Sequence, residues 1–163
     1  NSESSRRWLE HGASLIVSAK FLFESLVADR LQDNERQRVL ELGKLRGAMT
    51  LLGAGLECVL KARAVYDGTI STDIRTGASK LDRLWSSHNL RDMAASLSLA
   101  FTEDELLLLE RASHGVRWLG RYPDPKTSAE LEKAVSIDAQ KLKSADFEAA
   151  LHVHYVVQQS LPF

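Results

Sequence analysis

Apolar residues recur along this chain every three or four positions, the period of an α-helix, and no run alternates as a strand would. Trp8, Ile16, Phe23 and Val27 carry that spacing through a first helix expected over residues 5–31. Asn34 followed by Gln37 resembles a capping box that opens a second helix. That helix carries Leu42, Leu45, Met49, Leu52, Leu56, Val59 and Tyr66, with Arg63 filling the one gap in the seam. Gly43, Gly47, Gly53 and Gly55 lower its helix propensity and fit best where a neighbouring helix comes close. Asp67-Gly68 supplies a C-terminal cap.

Residues 69–79 are rich in Gly, Ser and Thr and read as a loop. "KLDRLWSSHNLRDMAASL" then reads as a shorter helical part broken near Ser87. Thr102 and Glu105 form a second capping box, for a helix expected over residues 103–121 that Pro123 stops. Residues 129–134 predict a turn of helix and 135–142 an irregular or extended segment. Ser144 or Asp146 caps a last helix, "FEAALHVHYVVQQSL". The expected fold is all-α: an antiparallel helical bundle of four to five helices with two long N-terminal helices, in a single domain over residues 1–163.

Composition narrows the function classes. The formal net charge is -1, so no global field draws in nucleic acid or an anionic membrane, and any phosphate ligand needs a local patch. A single cysteine, Cys58, excludes an intramolecular disulfide and multi-cysteine zinc sites; it predicts a reduced, cytoplasmic setting and an inert core thiol. The stretch Ala48–Leu60 reads as the most apolar and is too short to span a bilayer, so no membrane segment or signal peptide is expected. No cofactor is expected and no metal set is found. His152 and His154 diverge by about 200° on a helix, unlike a ligand pair four apart.

The candidate chemistry lies in "RASHGVRWLGRYPDP". On a helical wheel Leu109, Ala112, Ser113, Val116, Leu119 and Gly120 form the core side, and Arg111, His114, Trp118 and Arg121 the opposite side, with Arg117 beside them. Two readings stand. Cations in a last turn suit the helix dipole and a packing surface. A cationic face with an indole, extended by Tyr122, can also hold a phosphate and stack a base. Elsewhere, His88 starts a helix, satisfies a buried polar contact or touches a ligand. Glu57 and Lys61 read as a solvated or half-buried ion pair. Arg63, on the apolar seam, needs Glu24, Asp82 or an anion.

Four ordered segments together resemble the HEPN superfamily: "WLEHGASLIVSAK" in the first helix, "LECVLKA" in the second, "KLDRLWSSHNLRDMA" with its "HNL", and "RYP" at Arg121–Pro123. The resemblance implies a helical bundle that forms a homodimer, cytoplasmic, in the setting of toxin-antitoxin or defence systems. It implies a nucleotide or RNA, or a nucleotidyltransferase-type protein, as partner. The family's ribonucleases are metal-independent and carry Arg and His separated by four to six residues. Arg83 with His88 and Arg6 with His11 match that string, as chance alone would allow among thirteen arginines and five histidines. Neither pair lies on the late helix, where Arg111 and His114 are spaced too closely. The first expectation is therefore a non-catalytic module that binds a nucleotide or RNA phosphate through Arg111, His114, Arg117, Trp118, Arg121 and Tyr122. The alternatives are a protein-interaction or dimerisation module and a ribonuclease using Arg83 and His88 or Arg111 and His114.

Overall fold

A computed structural model describes residues 2–28, 34–71, 83–119, 122 and 124–163. Among these, all regular structure is helical. The two long helices are α1, Ser2–Ala28, and α2, Glu35–Tyr66. Next come α3, Arg83–Ser86, and α4, Leu90–Ser96, separated at Ser87–Asn89 where the break is expected. Then α5, Glu103–His114, runs straight into a π-helical turn, Gly115–Leu119. The short α6, Ser128–Ser136, and the final α7, Ser144–Gln159, complete the described elements. There are thus seven α-helical segments among the described residues, against the four or five expected, because the two predicted fragments consolidate into α3, α4 and α6.

Local chemistry sets the boundaries. Asn34 Oδ1 accepts from the Gln37 amide and starts α2. Gly68, at φ 76, lets the Thr69 amide reach back to the Ala64 carbonyl and closes α2 with a glycine-type cap. Thr102 and Glu105 form the full reciprocal capping box on α5. At α7 the N-cap is Lys143 rather than Ser144 or Asp146; the Asp146 carboxylate accepts from the Lys143 amide. The expected first-helix residues beyond Ala28, the loop residues 72–79, Lys80–Asp82, Gly120, Arg121 and Pro123 lie outside the described residues.

The long helices run antiparallel. The Ser5 hydroxyl donates to the Ala62 carbonyl near one end, and Lys44 Nζ donates to Ser25 Oγ near the other. Between them the backbones nearly touch: a Cβ on Gly12 would lie 2.7 Å from the Gly55 carbonyl oxygen. The seam glycines therefore divide. Gly53 and Gly55 sit where another helix presses, whereas Gly43 has open space around it. The seam itself begins one turn later than expected, since Leu42 is exposed.

The main core joins α1, α2, α4, α5 and α7 through residues such as Ile16, Leu56, Met93, Leu109 and Phe147, with Trp85 from α3. A smaller cluster of Met49, Trp118, Leu119, Ala134 and Ala139 joins α2, the π-turn and α6 with its exit. By length and composition α1 is apolar enough to cross a membrane, so Ala48–Leu60 is not the stretch to test for that property; no other described helix meets the test.

Candidate functional site

The predicted stretch Arg111–Tyr122 departs from its helical wheel at the π-turn. The Gly115 backbone lies against α2, where an added Cβ would fall 2.6 Å from the Met49 carbonyl oxygen. Val116 packs on Gly53 of α2 in the same way. One side of the turn is thus closed by α2. On the other side, expected to face solvent, Trp118 packs in one cluster with Ala134 of α6 and Ala139 beyond it. His114 is 1% exposed and Trp118 3%, so neither belongs to an outer cationic face. The wheel allowed one packing partner for this stretch, and the fold supplies two.

Inside that sandwich the side chains settle into a defined arrangement. Trp118 Nε1 donates to His114 Nδ1 at 3.3 Å, with the two rings edge to face. Burial, and next the neighbouring Arg117 guanidinium, hold His114 below the ordinary histidine range, so the ring is neutral near pH 7. With Nδ1 accepting, the single ring proton sits on Nε2. That Nε2–H is buried and has no hydrogen-bond partner among the described residues. Arg117 Nε–H is likewise buried and without a partner among the described residues, while Arg117 Nη1 lies 4.0 Å from Glu130 Oε1 of α6. Each orphaned buried group costs about 1–3 kcal/mol. Native structures leave few of them, usually at sites where an ion, water or ligand completes the set. π-turns themselves recur at functional sites.

The other predicted residues fall elsewhere. Arg111 is committed: Nη2 and Nη1 donate to the two oxygens of the buried Asp146 carboxylate of α7. Arg111 and Asp146 border an open cleft with Asp104, Glu105, Asp138, Lys143, Glu148 and His152, where carboxylates outnumber cations and disfavour a phosphate. Tyr122 is exposed, and its amide donates to the Trp118 carbonyl, which holds it one turn beyond the indole. Arg121 is outside the described residues.

Sequence reasoning missed a second cluster. Glu57 and Lys61 are 7% and 8% exposed, not solvated or half-buried as expected, and Lys61 Nζ donates to Glu57 Oε1 at 2.5 Å. His88 Nδ1 donates to the other oxygen of Glu57 at 2.8 Å from a left-handed backbone, φ 57. Lys61 Nζ also sits 5.9 Å above the Trp8 ring. The i,i+4 spacing signalled the pair; nothing local signalled that the Ser87–Asn89 break and Trp8 would cover it. Arg83 is exposed on α3 and makes no hydrogen bond or ion pair with His88 among the described residues. Arg6 stacks over Phe163, and His11 is exposed on α1.

Among the described residues Arg63 is met by partners other than the expected Glu24, and the alternative partner Asp82 lies outside the described residues. Its Nε donates to Asp67 Oδ2 at 2.9 Å and Nη1 donates to the Ser160 carbonyl. His152 Nδ1 bonds Glu105 across α5 and α7, and His154 points elsewhere. Among the described residues no group of three or more His, Cys, Asp or Glu could hold a metal ion. Cys58 is half-buried, and its thiol is pushed up to about 11 by burial and by Glu57, which suppresses the reactive thiolate. No protein-family model matches the chain, and no curated protein or solved structure matches it.

Proposed function

We propose that this chain is a HEPN-like helical bundle acting as a non-catalytic module that binds a nucleotide or an RNA phosphate at the π-turn, in a toxin-antitoxin or defence setting. One observation carries the reading: His114 Nε2–H and Arg117 Nε–H are two buried donors without acceptors among the described residues, three residues apart in the stretch singled out by the sequence. An acceptor-rich ligand such as a phosphate, or a base carbonyl, answers both. Tyr122, exposed one turn on, is the available stacking surface, since Trp118 is enclosed. Arg111 serves the fold through Asp146 and leaves Arg117 as the cation for the ligand.

Isothermal titration with a panel of nucleoside monophosphates, inorganic phosphate and short single-stranded RNAs tests this. Saturable binding is expected, weakened at least tenfold by Arg117→Ala and by His114→Phe, with Tyr122→Ala affecting nucleotides and RNA but not phosphate. Absence of binding, or binding indifferent to Arg117→Ala and His114→Phe, overturns the proposal.

A further inference from the structure

The two unpartnered donors of the π-turn lie next to α6, and little holds α6 in place. Of its nine residues Ala134 alone is buried, in one cluster with Trp118. A helix this short is not stable by itself in water and depends on what it packs against. Besides that alanine, two ion pairs tie it down. Lys133 Nζ lies 3.4 Å from Glu110 Oε1 of α5, which Arg91 fixes from the other side, and Glu130 Oε1 lies 4.0 Å from Arg117 Nη1. Lys133 is exposed and Arg117 partly so, which keeps both ties weak. Glu130 and Lys133 also act on the charge of His114, in opposite senses, so this side of α6 is turned to the site. The α2 side of the π-turn is different. Gly115 meets the Met49 backbone there with no room for a methyl. Of the two elements against the π-turn, α6 is therefore the one that can yield.

We propose that α6 is a cover released by phosphate, with Glu130 as the built-in competitor of the ligand for Arg117. This rests on the reading of the π-turn as a phosphate site and adds how that site opens. At 4.0 Å Glu130 is beyond hydrogen-bond distance, so it offsets the Arg117 charge without supplying an acceptor for Nε–H. A phosphate that accepts from Nε–H sets a second anion on the same guanidinium. Two anions that close repel strongly where water is scarce. Binding then expels Glu130, and α6 keeps only Ala134 and the Lys133–Glu110 pair. Linkage makes any change that loosens the Glu130–Arg117 pair a change that tightens phosphate binding. A neutral base carbonyl brings no such repulsion, so the release belongs to ligands that carry phosphate.

Hydrogen–deuterium exchange of the full chain, read at the α6 amides with and without inorganic phosphate, tests the cover. Exchange in α6 is expected to be faster with phosphate bound, with α7 unchanged. Without ligand, Glu130→Gln and Lys133→Gln each speed α6 exchange by about two- to fivefold, the scale of a partly solvated ion pair. In isothermal titration Glu130→Gln binds phosphate about three- to tenfold more tightly. Glu132→Gln removes the same charge from an exposed position on α6 and changes neither readout. Loss of a nearby charge alone would tighten binding without moving α6, so the exchange with phosphate decides between the two. Exchange in α6 that is slowed or unchanged by bound phosphate, or equal phosphate affinity in wild type and Glu130→Gln, overturns the cover and leaves the ligand site standing. No phosphate binding by either protein overturns both.

Discussion

Replacing Lys61 by Met would strand a carboxylate in the interior. Glu57 is buried, and with Lys61 gone only His88 remains on it among the described residues. Breaking a buried pair from one side costs about 3–5 kcal/mol, whereas removing both charges is far milder. Urea unfolding should therefore show a large fall in midpoint for Lys61→Met and a much smaller one for the Glu57→Leu/Lys61→Met double variant. Equal losses would mean that the pair is hydrated in solution. The same residues show where sequence reading stops. An i,i+4 Glu–Lys pair is visible from spacing alone, but its burial depends on Trp8, about fifty positions away, and on the left-handed turn at His88. Spacing reports which side chains share a helix face and is silent on what lands on that face.

At the scale of elements, what was legible followed local chemistry. The Thr102–Glu105 box, the Asn34 cap, the Gly68 stop and the break at Ser87 each depend on residues within four positions, and each falls where the sequence places it. The π-turn did not, because it answers to α2. A methyl at Gly115 meets the Met49 carbonyl oxygen at 2.6 Å, and one at Gly43 meets nothing. Gly115→Ala should destabilise by about 1–3 kcal/mol through overpacking. Gly43→Ala should stabilise by up to about 1 kcal/mol through helix propensity alone. Thermal unfolding of the two variants side by side checks both signs. If Gly115→Ala is neutral, the α2–π-turn contact is looser than described and the enclosure of His114 loses its cause. The candidate site was thus half legible: its residues were named from composition and order, but their inward orientation required the second packing partner, α6.

For the molecule as a whole, one buried and one half-buried imidazole link stability to pH. Burial holds both His114 and His154 below the ordinary histidine range. The unfolded chain then binds more protons than the folded one as pH drops below about 6.5, so stability is complete above that value and declines as pH falls toward the folded-state values. Urea midpoints measured between about pH 8 and pH 5 should fall with acidification, and His114→Gln should flatten part of the decline. A midpoint that rises on acidification, or a slope unchanged in the variant, would show that His114 is solvated and charged in the folded chain.

The reach of Arg63 to the Ser160 carbonyl and of Arg6 to the Phe163 ring has a consequence in time rather than in space. Together with Phe147, Val153 and Val157, these contacts place α7 in the same core as Ile16 and Leu56, so that core closes only once α7 has been made. On a ribosome, the α1–α2 hairpin emerges before α7 and carries two uncovered apolar flanks, one awaiting α7 and one on the outside of α1. Until α7 arrives, both flanks are exposed alike, and only its docking separates the one that belongs inside from the one that stays on the surface.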